Sequence, residues 1–194
     1  MERGGLATAL QENGVTPETP VAWGDEMRIG LHGKVRRLWA PRGVKVRQRV
    51  QMERVWRYLA LAVDGWRGRL VWKWIESMKG LAVATALEHW REAGIEAVVW
   101  DRARSHRAPV VEEVGLTLIR QPPYAPELNP AERVFEEVRR KVEGRMYGDI
   151  EQKVQAVEEA LHELAAEPEH VKRLAGWDWI HQAFVELSRN MAFP

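Results

Sequence analysis

The chain has no cysteine, so neither a disulfide nor a thiolate metal site can form. No apolar run approaches the roughly 20 residues needed to cross a bilayer, and the opening Met-Glu-Arg-Gly-Gly is not a signal peptide. These absences point to a cytoplasmic protein. Net charge is missing too: 29 basic residues face 28 acidic ones, for a formal +1. A uniformly basic nucleic-acid binder is therefore ruled out, and any role for charge must come from its distribution. At 194 residues, 45% of them hydrophobic, the chain suits one domain with a small helical extension.

The charge is in fact segregated. Lys34, Arg36, Arg37, Arg42, Lys45, Arg47, Arg49, Arg54 and Arg57 crowd one segment with only Glu53 against them. Asp149, Glu151, Glu158, Glu159, Glu163, Glu167 and Glu169 balance them near the C-terminus. A basic segment of this kind suits phosphates; the plain alternative is a solvated loop. Trp39 at its centre reads equally as a core anchor or as an exposed contact residue. Base stacking is one use for the ten tryptophans, and burial in the core is the commoner one.

Residues 1–20 read as an N-terminal arm, either a short helix or a loose segment, with no helix-turn-helix in view. Residues 21–31 read as a strand. Alternation places Val21, Trp23, Asp25, Met27, Ile29 and Leu31 on one face. Asp25 is then the lone carboxylate on an apolar face, where an unpaired charge is costly and a metal would explain it. Glu26 shares the other face with Arg28 and has a solvent or ion-pair explanation. Residues 55–76 form a hairpin about Asp64-Gly65. Residues 79–94 form an amphipathic helix with Leu81, Ala84, Leu87, Trp90 and Ala93 near one side. A short buried strand ends at Asp101, where open α/β sheets bind ligands; capping of the next turn explains Asp101 as well. A loop and helix over residues 102–115 lead to a strand at 116–120. Helices follow at 149–166 and 177–191, punctuated by Pro168 and Gly176.

One stretch orders the rest: Gln121-Pro-Pro-Tyr-Ala-Pro-Glu-Leu-Asn-Pro-Ala-Glu-Arg-Val-Phe135. Its prolines rigidify a turn. Asn129 is a suitable N-cap and Pro130 a suitable first helical residue, which delivers Glu132 to the first turn of a helix. Val134, Phe135, Val138 and Val142 recur on that helix at core spacing. Glu132 three residues after Asn129 also fits a capping box.

Pro122 to Glu132 closely resembles the third catalytic motif of DDE transposases, of the mariner-like and bacterial insertion-sequence kind. Trp23-Gly-Asp-Glu26 resembles the first motif and Val98 to His106 the second, in the same order, so the resemblance covers roughly residues 21–145. It implies an RNase H-like α/β fold: a mixed five-stranded sheet with helices on both faces, and C-terminal helices over about 149–194. It also implies that Asp25 and Asp101 lie on neighbouring strands and that Glu132 joins them. In that family two Mg²⁺ or Mn²⁺ ions, about 4 Å apart, serve DNA nicking and strand transfer. Asp25, Asp101 and Glu132 are then the catalytic and metal-binding residues. Residues 34–57 contact DNA or a partner subunit in a homodimer, and His106 either approaches the scissile phosphate or makes a structural hydrogen bond. This chain departs from the pattern at Arg102, where the family usually has Asn, and in having only 30 residues between Asp101 and Glu132. The DNA-reading module of the family is expected to be missing or supplied by a separately encoded segment. A catalytically silent DNA-binding or assembly remnant is the rival reading.

Overall fold

The computed structural model describes residues 5–192, other than 34–36, 38, 48 and 124. Five strands form one mixed sheet: β1 (Val21–Gly30), β2 (Trp56–Asp64), β3 (Arg69–Ile75), β4 (Ala97–Trp100) and β5 (Thr117–Arg120), in the order β3-β2-β1-β4-β5. β1 is the central strand. It pairs antiparallel with β2 from Trp23↔Val63 to Gly30↔Trp56, and parallel with β4 from Val21↔Ala97 to Trp23↔Val99. The β2–β3 connection spans residues 65–68, and the left-handed conformation falls at Gly68 (φ 72°) rather than at Gly65.

Both sheet faces are covered. On one face α2 (Gly80–Glu92) and α3 (Pro109–Glu112) pack on Ala22, Ala60, Ala62, Val98 and Trp100. The buried side of α2 is Val83, Ala84, Ala86, Leu87 and Trp90, while Leu81 is 70% exposed and Ala93 is also outside. Ala84, Leu87 and Trp90 are thus buried as expected, and Trp90 packs closely over Gly24, where an added Cβ would meet it at 3.0 Å.

The opposite face carries two separate helix layers. α1 (Gly5–Glu12) and α7 (Asp178–Ala192) cover Val21, Trp23, Ala97, Val99 and Ile119. α4 (Ala131–Val142), α5 (Ile150–Ala165) and α6 (Pro168–Ala175) cover Met27, Ile29, Leu59, Leu61 and Val63. Residues 5–12 are thus a packed helix, with Leu6, Ala7 and Leu10 buried. Pro168 opens α6 instead of merely separating two helices, as its missing N–H allows at a first helical position. Nine tryptophans pack against neighbours, but Trp39 is fully exposed, which removes its reading as a core anchor. No helix among the described residues is long and apolar enough to cross a membrane.

Candidate active site

The two helix layers part at Asp25. Val21 and Trp23 lie under one layer and Met27 and Ile29 under the other, so the carboxylate faces the gap between them. Alternation puts Asp101 on the same face, since Ala97 and Val99 point that way and Val98 and Trp100 the other. The gap is a cavity of about 540 Å³ lined by Asp25, Asp101 and Glu132 together with Arg102, Arg107 and Asn129. All three carboxylates singled out from the sequence therefore reach one cavity, each from a different element.

Each carboxylate is held locally. Asp25 Oδ1 accepts from the Glu26 backbone N–H (2.7 Å), and Asp25 Oδ2 accepts from Asn129 Nδ2 (3.0 Å). Asn129 also donates to the Gly24 carbonyl (3.2 Å), and its Oδ1 accepts from the Ala131 N–H (3.1 Å). One buried side chain thus accepts from the first N–H of α4, across the N-cap position at Pro130, and fastens the helix to β1. The helical cap was legible in sequence; the grip on a residue 104 positions away was not. Glu132 meets Arg139 at 3.6 Å and is 42% exposed. The proline turn is tied to β4, because the Gln121 N–H donates to the Trp100 carbonyl (2.8 Å) and Arg102 Nε donates to the Gln121 carbonyl (2.9 Å). Arg102, the departure from the family motif, braces the turn that presents Glu132.

Burial pushes the Asp25 carboxyl up to about 7, and the charges of Glu26, Glu132 and Asp101 add to that, against the hydrogen bond from Glu26. Asp101 is held below its ordinary value, chiefly by its hydrogen bond from His106. His106 Nδ1 donates to Asp101 Oδ1 (2.8 Å) and Nε2 donates to Glu26 Oε1 (3.0 Å). Burial opposes its charge, but these two bonds prevail and push His106 up to about 10. It is a buried imidazolium between two carboxylates, with its ring stacked on Trp100 at 3.9 Å.

Two expectations change here. His106 has both nitrogens engaged and is only 4% exposed, so it does not offer a donor to DNA. Of the two readings of Glu26, solvent or an ion pair, the ion pair holds, but its partner is His106 and the side chain is 6% exposed. Arg28 instead lies over the Trp56 ring at 4.2 Å.

A second cleft, of about 530 Å³, opens beside the first. Arg28, Arg49, Arg139, Arg145 and Lys153 line it, with Glu143 the one acidic residue of its wall among the described residues. Of the residues expected to bind DNA, Arg49 lines this cleft, and Arg37, Arg42, Lys45 and Arg47 are exposed on the segment leading to it. Lys34 and Arg36 lie outside the described residues. Sequence reading missed Arg28, Arg139, Arg145 and Lys153 because they are dispersed along the chain among acidic neighbours.

No curated protein matches the chain. Solved structures do match in fold. The Mos1 strand transfer complex aligns at TM-score 0.65 and 16% identity, over 98% of this chain and 59% of that one. The Mos1 paired-end complex with the left transposon end gives 0.63 and 14%, over 95% and 58%. The Mos1 mariner paired-end complex with Mn gives 0.62 and 15%, over 97% and 61%. The sheet order and flanking helices are thus those of the RNase H-like fold. The chain spans about three-fifths of the length of these transposase chains. The family model for DDE superfamily endonucleases matches residues 20–153, a span that contains all three cavity carboxylates, and the chain belongs to that family.

Proposed function

We infer that this chain is the catalytic domain of a DDE transposase, cutting and rejoining DNA phosphodiesters with divalent cations. The observation that carries this reading is the convergence of Asp25, Asp101 and Glu132 on one cavity, with Asp25 desolvated and repelled by its acidic neighbours. Among the described residues no three His, Asp or Glu side chains are yet gathered tightly enough to hold an ion. The donor set nevertheless fits Mg²⁺ or Mn²⁺: hard carboxylate oxygens without thiolate, in a pocket whose anionic repulsion a cation relieves. Asp25, Asp101 and Glu132 would hold it. When bound there, divalent ions would polarise phosphate oxygens and lower the pKa of an attacking water or hydroxyl.

The rest belongs to the chain's own residues. Asn129 orients Asp25 by occupying its Oδ2 side. Asp101 spends Oδ1 on the Ala103 N–H and on His106, leaving Oδ2 for the cavity. Arg102 and Arg107 place positive charge at the cavity wall, where a phosphate would sit. The basic cleft continues from there, because Glu132 of the cavity and Arg139 of the cleft are in contact. It suits a phosphate backbone, which gives affinity without sequence choice. The segment before β2 presents Trp39, Val44 and Met52, 105%, 57% and 72% exposed, beside its arginines. A second copy of the chain bound through that segment completes the proposal, and light scattering reads it as a dimer mass that falls in Trp39→Ser.

Nicking of a supercoiled plasmid or a duplex by the purified chain tests the reaction. Activity is expected with Mg²⁺ or Mn²⁺ and not with EDTA. Metal-dependent cleavage that survives Asp101→Asn would sink the mechanism.

A further inference from the structure

The parallel ladder between β1 and β4 ends at Trp23↔Val99. Asp25 and Asp101 each lie two residues beyond that last pair, where no β1–β4 backbone pairing sets their spacing and where sheet twist, about 20–25° per strand pair, carries the strands apart. A side-chain chain crosses this gap. Glu26 leaves β1 on the face opposite Asp25 and accepts from His106 Nε2 (3.0 Å), and His106 Nδ1 donates to Asp101 Oδ1 (2.8 Å). The middle of the chain has little freedom. The His106 ring lies parallel to Trp100 at 3.9 Å, Trp100 is 1% exposed, and the Glu26 and His106 side chains are 6% and 3% exposed. Glu26 is a nearly buried carboxylate with His106 as its partner, and removing His106 would leave that charge uncompensated.

We propose that Glu26 and His106 form a strut that fixes where the Asp101 carboxylate stands relative to Asp25, making them positioning residues of the metal-holding site. The proposal rests on the catalytic reading above. The adjacent Asp25 and Glu26 then serve one site from opposite faces of β1: the first lines the cavity, and the second anchors His106, which turns Asp101 Oδ2 toward it. Positioning of this kind affects how readily ions are held and leaves DNA affinity alone.

Three variants of the full chain test it: Glu26→Ala, Glu26→Gln and His106→Asn. Glu26→Ala removes the anchor. Glu26→Gln still accepts from Nε2–H. His106→Asn keeps a donor near the Nδ1 position but does not reach Glu26. The expected results for Glu26→Ala and His106→Asn are unchanged duplex affinity and at least about a tenfold higher Mg²⁺ or Mn²⁺ concentration for half-maximal nicking, with Glu26→Gln within about threefold of the parent. Calorimetric Mn²⁺ binding should follow the same order, and crystal structures should show Asp101 Oδ1 released in Glu26→Ala. If Glu26→Ala fails to fold, His106→Asn against Glu26→Gln decides the matter. A folded Glu26→Ala with parental metal dependence, or an Asp101 that stays in place, overturns the strut. Glu26→Gln as impaired as Glu26→Ala overturns it too, because charge rather than position would then be at work. A parent chain that never nicks DNA defeats the catalytic reading instead, and Mn²⁺ binding and the position of Asp101 still judge the strut.

Discussion

The two clefts that meet at α4 are nearly equal in volume, about 540 and 530 Å³, and differ in the charges that line them. The first gathers three carboxylates, one of them buried enough to hold its proton near neutrality. The second gathers four arginines and Lys153, whose burial lowers its pKa and whose Nζ donates to the Gly30 carbonyl (2.7 Å). Bound cations would relieve the first and a phosphate backbone the second, and a DNA strand with its metal ions would satisfy both at once. The Glu132–Arg139 contact marks where one regime gives way to the other.

The sharpest way to break this contrast is to neutralise the acidic cleft. Asp25→Asn, Asp101→Asn and Glu132→Gln should each lower the nicking rate by about 10³-fold or more, roughly 4 kcal/mol at 1.36 kcal/mol per tenfold, with duplex affinity unchanged. A quenched-flow or gel assay of metal-dependent cleavage reads the first effect and fluorescence anisotropy the second. Reversing the basic cleft should do the opposite. Arg139→Glu combined with Arg145→Glu and Lys153→Glu should weaken binding to unrelated duplexes alike, by about 10- to 100-fold, and flatten its salt dependence. Anisotropy titrations between low and physiological salt check this, and an unchanged salt slope would remove the cleft from the DNA path.

A third comparison uses stability. The Asp25 carboxyl has an ordinary value of 3.8 and stands near 7 in the fold. Between those values the folded chain keeps a proton that the unfolded chain has released. Its contribution is therefore complete at the acid end and is lost as pH rises through about 7. Asp25→Asn, which cannot ionise, should gain stability over the parent between pH 5 and pH 7, on the order of 2 kcal/mol, in melts with EDTA. Mn²⁺ should restore the parent and leave the variant unmoved. The smallest effect belongs to Asn129→Ala. Losing the α4 cap and the grip on Asp25 should cost about 1–2 kcal/mol in urea unfolding. The variant should also nick more slowly than the stability loss explains, because Asp25 Oδ2 would be released.

Much of this molecule is written locally. The strand at 21–30, the hairpin, the helix after Pro130 and its core residues follow from alternation, turn chemistry and helical spacing, which act over a few residues. Asp25 stood out because a charge on an apolar strand face is costly wherever the strand ends up. The prolines and Asn129 announced the turn and the cap for the same reason. Relations across the chain were decided only by the tertiary structure. Asn129 caps a helix in sequence and holds Asp25 in space. Glu26 had a solvent or an ion-pair reading, and its partner, His106, lies 80 residues away. His106 had two readings, a phosphate contact or a structural hydrogen bond, and two carboxylates and Trp100 enclose it. Trp39 had two readings, and exposure removed one of them. The basic cleft draws its cations from β1, the segment before β2, the end of α4 and α5, so no window of sequence contained it. Short-range sterics and periodicity act within a window and survive translation along the chain. Burial, charge pairing and the spacing of catalytic groups depend on which distant segments the sheet order brings together.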